Sequence, residues 1–248
     1  MAMKAPARVA ALPSTNWTGF YIGANAGAAW ERASLNSTLT SCPTCSVSFD
    51  PADQAAIAAA GSPTINTTNF TGGVEAGYNL QSGQAVYGIE TDFDAFTARS
   101  SQTTVANFGP LSNPAVQYTV VTSSGSDWLF TARGRLGWTP SPNLLLFATG
   151  GLAVTDITVA NSYFDGFGPS PVGAASSQVT KAGWTLGGGV ESAVSRNLSF
   201  KVEYLHLDFG TASTTDVVTR AGFLPTPFVT TDHVTAQIVR AGLNYKLW

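Results

Sequence analysis

Apolar and polar residues alternate with period two along eight stretches: Trp17 to Trp30, Phe70 to Leu80, Ala85 to Thr97, Asp127 to Trp138, Leu144 to Thr155, Lys181 to Val194, Leu198 to Phe209 and Val234 to Trp248. Each stretch is long enough to cross a bilayer as a tilted strand. The links after the second, fourth and sixth are short and built of turn residues, QSGQ at 81–84, TPSPN at 139–143 and SRN at 195–197. The other four links each exceed twenty residues. This alternation predicts an all-β, up-and-down antiparallel barrel of eight strands that spans a membrane, with long loops on one side and short turns and both termini on the other. Residues 1–15 carry no such pattern and are expected to be a disordered periplasmic segment, leaving 16–248 as the barrel domain.

Parity within a strand sorts the two faces. In the first strand Phe20, Ile22, Ala24, Ala26, Ala28 and Trp30 share one face, opposed by Gly19, Tyr21, Gly23, Asn25 and Gly27. In the fourth, Trp128, Phe130, Ala132, Leu136 and Trp138 oppose Thr131, Arg133, Arg135 and Gly137. The same rule sets Glu75, Glu90, Asp92, Asp94, Glu191, Lys201, Glu203, Arg240 and Lys246 against an aromatic and aliphatic set. Together with Arg133 and Arg135 these form an interior charge network in which six acids face five bases. A cation on lipid at mid-depth costs about 2 to 4 kcal/mol, so a bilayer imposes this segregation. The fifth strand, with Leu144, Leu145 and Leu146 in a row, does not settle its own parity.

Aromatic residues Trp17, Trp30, Trp128, Trp138, Trp184, Tyr204 and Tyr245 are candidates for the girdles at the two membrane borders. Trp128 and Trp138 are ten residues apart on one face, as are Phe20 and Trp30. At about 3.3 Å per residue and a tilt of about 40°, that separation rises roughly 25 Å, the height of the apolar band of such a barrel.

Composition sharpens the choice of solvent. Charged residues are 11 % of the chain, against about a quarter in a soluble globule, so a water-facing exterior is poorly served. No run approaches the roughly 18 apolar residues of a spanning helix. A net charge of −3 gives nucleic acid no electrostatic handle. The amino terminus, MAMKAPARVAALPST, lacks the apolar core of a signal peptide, and an exported barrel needs one, so either the leader was removed or the start codon was assigned late.

The long loops are rich in Ser, Thr, Gly, Pro and Ala and are expected at the surface. Val116 to Val121 and Phe228 to Thr235 are able to prolong their hairpins, and Asp50-Pro51 to start a short helix through Ala60. Cys42 and Cys45 form a lone CPTC with no second Cys pair or His pair for zinc, and in an oxidising envelope a local disulfide is expected. No cofactor and no metal ligand set is expected. His206 and His233 are the two histidines, and no GxSxG-type nucleophile accompanies them, so the catalytic residues are expected to be none and His206 an interfacial group.

The strand sequences resemble the outer-membrane immunogenic or porin-like barrels of alphaproteobacteria such as rhizobia, relatives of the OmpA/OmpX-type eight-stranded barrels. The matching pieces are NWTGFYIGANAG at 16–27, GGVEAGYN at 72–79, YGIETDF at 87–93, RGRLGW at 133–138, GWTLGGGVE at 183–191, KVEYLHLDFG at 201–210 and VRAGLNYK at 239–246. The resemblance implies the outer membrane of a Gram-negative bacterium and a terminal strand read by barrel-assembly machinery. The family pattern closes on an aromatic two residues after its Tyr, whereas here Tyr245 is followed by Lys246, Leu247 and Trp248.

An eight-stranded barrel leaves an interior that side chains just fill. The leading expectation is therefore a structural, envelope-stabilising and antigen-like surface protein with its lumen plugged by ion pairs. Its partners would be outer-membrane lipid, lipopolysaccharide, and host or phage ligands at the loops. The alternative is a narrow solute or ion channel, and a remote one is an outer-leaflet lipid hydrolase.

Overall fold

The structure is a computed structural model that describes residues 16–39, 50–110, 112–166, 173–218 and 226–247. The amino-terminal segment 1–15, the pair Cys42 and Cys45, and Trp248 lie outside them. The strands are β1 (Gly19–Leu39), β2 (Thr64–Ser82), β3 (Ala85–Asn107), β4 (Gln117–Ser141), β5 (Leu144–Asp165), β6 (Gly173–Ala193), β7 (Leu198–Val218) and β8 (Thr226–Lys246). Helix α1 (Pro51–Ala60) lies between β1 and β2. Each strand pairs antiparallel with its sequence neighbours and β8 closes on β1.

Each strand runs well past its period-two stretch into what reads as loop sequence. A strand of 21 residues such as β1, rising about 3.3 Å per residue at a tilt of about 40°, climbs roughly 50 Å, twice the height of an apolar band. The barrel thus projects beyond the membrane on the side of the long connections.

The projecting part is not a ring. The β2–β3 ladder stops at Thr71 and Phe96, and the β6–β7 ladder stops at Trp184 and Asp208. Above those points β3, β4, β5 and β6 remain paired with one another, as do β7, β8, β1 and β2. Two four-stranded sheets therefore face each other outside the membrane, as in a soluble β-sandwich. β-Bulges at Ala95/Ala98, Gly125/Leu129 and Asp208/Thr211 mark the transition, where extra residues bend the strands.

The interior changes solvent with height, and β8 reads it off in order. Asn244 and Arg240 are followed by Ile238, Ala236 and Val234, then by Asp232 and Thr230, then by Phe228, all buried. The lower apolar layer gathers Phe96, Leu129, Ile157, Leu205, Leu207 and Ile238. The upper one gathers Phe108, Tyr118, Val120, Tyr163, Val218 and Phe228, with Ile57 of α1 over them. A wholly polar interior, the expectation for a membrane barrel, holds only for the lower part. The upper part needs an apolar core for the same reason a soluble sandwich does, since its two sheets bury their inner faces against each other.

Helix α1 starts where Asp50 and Pro51 indicate. The Asp50 side chain accepts from Ala52 N at 2.9 Å, and Pro51 fills the first turn, where its missing N–H costs nothing. Asp53 accepts from Gly109 N at 2.7 Å and from the Ser112 hydroxyl, tying α1 to the β3–β4 connection.

Candidate functional site

The membrane-level lumen carries ten charged side chains, Glu75, Glu90, Asp92, Asp94, Arg133, Arg135, Glu191, Lys201, Glu203 and Arg240, each no more than 3 % exposed. Arg133 lies between β3 and β7 carboxylates, 2.6 Å from Glu90, 2.7 Å from Asp92 and 3.0 Å from Glu203. Arg240 reaches across from β8 to Glu203 at 2.7 Å, Asp94 at 2.5 Å and Asp92 at 3.0 Å. Arg135 pairs with Glu191 on β6, and its guanidinium lies 3.8 Å from the centre of the Phe147 ring.

The carboxylates of Glu75, Glu90 and Glu203 approach within 4.8 Å of one another, close enough to suggest a metal site. The Lys201 ammonium fills the space between them, at 2.7 Å from Glu75, 3.0 Å from Glu90 and 3.2 Å from Glu203. Removing one partner from such a buried pair costs about 3 to 5 kcal/mol, because the other charge is left without water or counter-ion.

Lys246 is a correction to the sequence reading. Its ammonium donates to the Asn16 carbonyl at 2.6 Å at the exposed periplasmic end, outside the network. The strand parity is right, but so near the terminus the long side chain leaves the lumen for water. The network proper therefore has six acids against four bases. Neutral donors meet part of the surplus: Tyr21 Oη donates to Glu90 at 2.6 Å, Thr131 Oγ1 to Asp92 at 2.7 Å, Ser199 Oγ to Glu191 at 2.5 Å and Asn244 Nδ2 to Glu191 at 3.2 Å, while Asp94 Oδ1 is buried without a hydrogen bond. Charge counting overlooks these four, although each sits at lumen parity. A Cβ at Gly77 would come within 2.4 Å of the Tyr21 hydroxyl, so glycine there leaves room for the Tyr21–Glu90 bond.

The outer face is apolar where parity places it. Ile22, Val74, Ile89, Leu136, Leu186 and Leu243 are all more than half exposed. On β5, Leu145 turns in and Leu146 out. Trp30, Trp138, Trp184, Tyr204 and Tyr245 face outward, Trp30 and Trp184 toward the surface side and Trp138 and Tyr245 near the periplasmic turns. Tyr204 sits mid-strand, and Trp128 is half-buried against Phe93, ring centres 6.0 Å apart.

Trp17 is a second correction: it is 6 % exposed and packs with Val86 and Leu145 at the periplasmic mouth rather than in a girdle. Gly19, at φ 137°, turns the chain at the first residue of β1, and Trp17 N donates to Gln81 Oε1 at 2.8 Å. His206 faces outward beside Trp184, ring centres 5.3 Å apart, and His233 lies 3.7 Å from Asp208.

Comparison with known proteins places the chain among outer-membrane proteins. A 31 kDa outer-membrane immunogenic protein of Brucella melitensis is 36 % identical over 232 residues, covering 93 % of this chain and 84 % of the relative. A 22 kDa outer membrane protein of Rhizobium leguminosarum is 32 % identical over 145 residues, 58 % of this chain and 54 % of that one. Among solved structures, Neisserial surface protein A aligns over 93 % of this chain and 98 % of its own, at 14 % identity and a TM-score of 0.42. The outer membrane protein beta-barrel domain family matches residues 2–246, and the chain belongs to that family, as an outer-membrane surface protein with alphaproteobacterial relatives.

Proposed function

We propose that this outer-membrane protein is a non-conducting, non-enzymatic barrel whose filled lumen carries a rigid two-sheet platform above the membrane. The platform presents the four long connections to lipopolysaccharide and to host or phage ligands. One observation carries the reading: the ion-paired layer around Arg133 and Arg240 is directly followed by the apolar layer of Leu129, Leu205, Leu207 and Ile238. An ion crossing would have to break buried pairs and then pass a dry layer, each step costing several kcal/mol. An antigen-like role fits the Brucella relative, which is named for immunogenicity.

A hydrolytic role has less support. Among the described residues neither His206 nor His233 hydrogen-bonds a hydroxyl, so neither is placed as the base of a Ser–His pair. Planar-bilayer recording of the purified chain tests the main reading. Silence at modest voltage is expected, and steady unitary steps would establish the narrow-channel alternative instead.

A further inference from the structure

Between the two apolar layers of the platform runs a thin polar seam with more acceptors than donors. Ser124 Oγ on β4 donates to Asp232 Oδ2 on β8 at 2.6 Å. Asn161 Nδ2 on β5 donates to Thr230 Oγ1, also on β8, at 2.9 Å. Thr122 is the cross-strand partner of Asn161 and sits two residues from Ser124 on the same face, so it shares the seam with these four residues. Three of its members are buried with an oxygen that has no hydrogen-bond partner: Asp232 Oδ1, Asn161 Oδ1 and Thr122 Oγ1. Glu31 on β1, opposite Ala236 and so below the seam, has a buried, unpartnered Oε2, and burial first, then the charge of Asp232, pushes its carboxyl up to about 7.

No cationic side chain among the described residues pairs with Asp232, which is fully buried. Burial pushes its carboxyl above the usual range, and the Ser124 hydrogen bond and, more weakly, the neighbouring His233 act against that. The contrast with the lower lumen is direct, because there every acid cluster has an Arg or Lys in it. Carboxylate, amide carbonyl and hydroxyl oxygens, without nitrogen or sulfur, make a donor set suited to a hard cation and not to zinc or copper. The larger, geometrically tolerant calcium ion suits ligands spread over three strands better than magnesium, which demands a near-ideal octahedron.

We infer that Asp232, Asn161 and Thr122 form a calcium-class cation site that ties the β3–β6 sheet to the β7–β2 sheet outside the membrane. Water completes the coordination. The site lies above the sealed part of the lumen and does not depend on the lumen being sealed.

The test uses the full chain in neutral, lipopolysaccharide-free detergent, stripped with chelator and then titrated with Ca²⁺. Thermal unfolding is followed in parallel with Tb³⁺ luminescence excited through tyrosine, since Tyr163 stands two residues from Asn161. Ca²⁺ should raise the unfolding temperature saturably and displace Tb³⁺, while Na⁺ at equal ionic strength should not. Asp232→Asn should weaken Ca²⁺ by about tenfold or more, equivalent to about 1.4 kcal/mol. Thr122→Val, which keeps the shape, should weaken it less, and Asp127→Asn on the outer surface not at all. Equal responses in the parent and Asp232→Asn, with the variant's barrel shown intact by heat-modifiable migration, would overturn the site. So would the absence of any Ca²⁺ response in the parent.

Discussion

The same eight strands build two regions with opposite rules. At membrane height the outside is apolar and the inside ionic, whereas above it the outside is a lawn of Ser, Thr and Asn and the inside is largely apolar, as Ser101, Ser123 and Ser176 outside and Phe228 and Val120 inside illustrate. The backbone changes with the solvent. In lipid an unpaired strand edge is prohibitive, so the ring must close there, and in water it is tolerable, so the ring can split into two sheets. The lesson is that side-chain parity is continuous along each strand while the medium on each side of it is not.

The largest predicted effect falls on the lower interior. Arg133→Ala removes a counter-charge shared by Glu90, Asp92 and Glu203, leaving them only Lys201, Arg135 and Arg240, and should lower stability by about 3 to 5 kcal/mol, read as a reduced urea midpoint in detergent. Arg99→Ala breaks an ion pair of similar length to Asp127, but on the exposed outer face of the upper region. It should cost under about 1 kcal/mol. If the two variants cost the same, the lower interior is solvated and the contrast between the regions fails.

Next comes the outer face. Leu136→Arg puts a cation on lipid and should cost about 2 to 4 kcal/mol, appearing as failed membrane assembly in a heat-modifiability gel. Ser101→Arg, at outward parity in the upper region, should assemble like the parent, and equal damage from both would mean that the apolar band reaches higher than Trp30 and Trp184. The most local of the predicted losses is expected at helix α1. Asp53→Ala frees Gly109 N and the Ser112 hydroxyl and should cost about 1 to 2 kcal/mol locally. Faster proteolysis within 50–62 at unchanged barrel stability is the readout.

Much of the lower region was legible because a bilayer writes a strict pattern. The parity of Phe20, Ile22 and Leu136 against Glu90 and Arg133 needs no tertiary information, and neither does the α1 start at Asp50-Pro51. The upper region was less so, for a physical reason. Alternation such as Phe228, Thr230, Asp232 and Val234 on one face fits a barrel wall and a sandwich sheet equally, and only pairing tells which. The loss of the β6–β7 ladder leaves no signature in β6, whose Ser- and Ala-rich start reads as loop. Trp17 and Lys246 were misplaced because chain ends obey local turns and solvent access rather than the period of the strand beside them. Cys42 and Cys45 fall outside the described residues.

The split of one barrel into two sheets is the central claim, and amide hydrogen exchange in lipid tests it most directly. Along residues 64–70, 97–107, 173–183 and 209–218 every other amide should exchange rapidly, since those edges lack a ladder on one side. The same heights on β1, β4, β5 and β8, paired on both sides, should stay protected. Uniform protection of all eight strands up to their tips would contradict the split and restore a closed cylinder along its whole length.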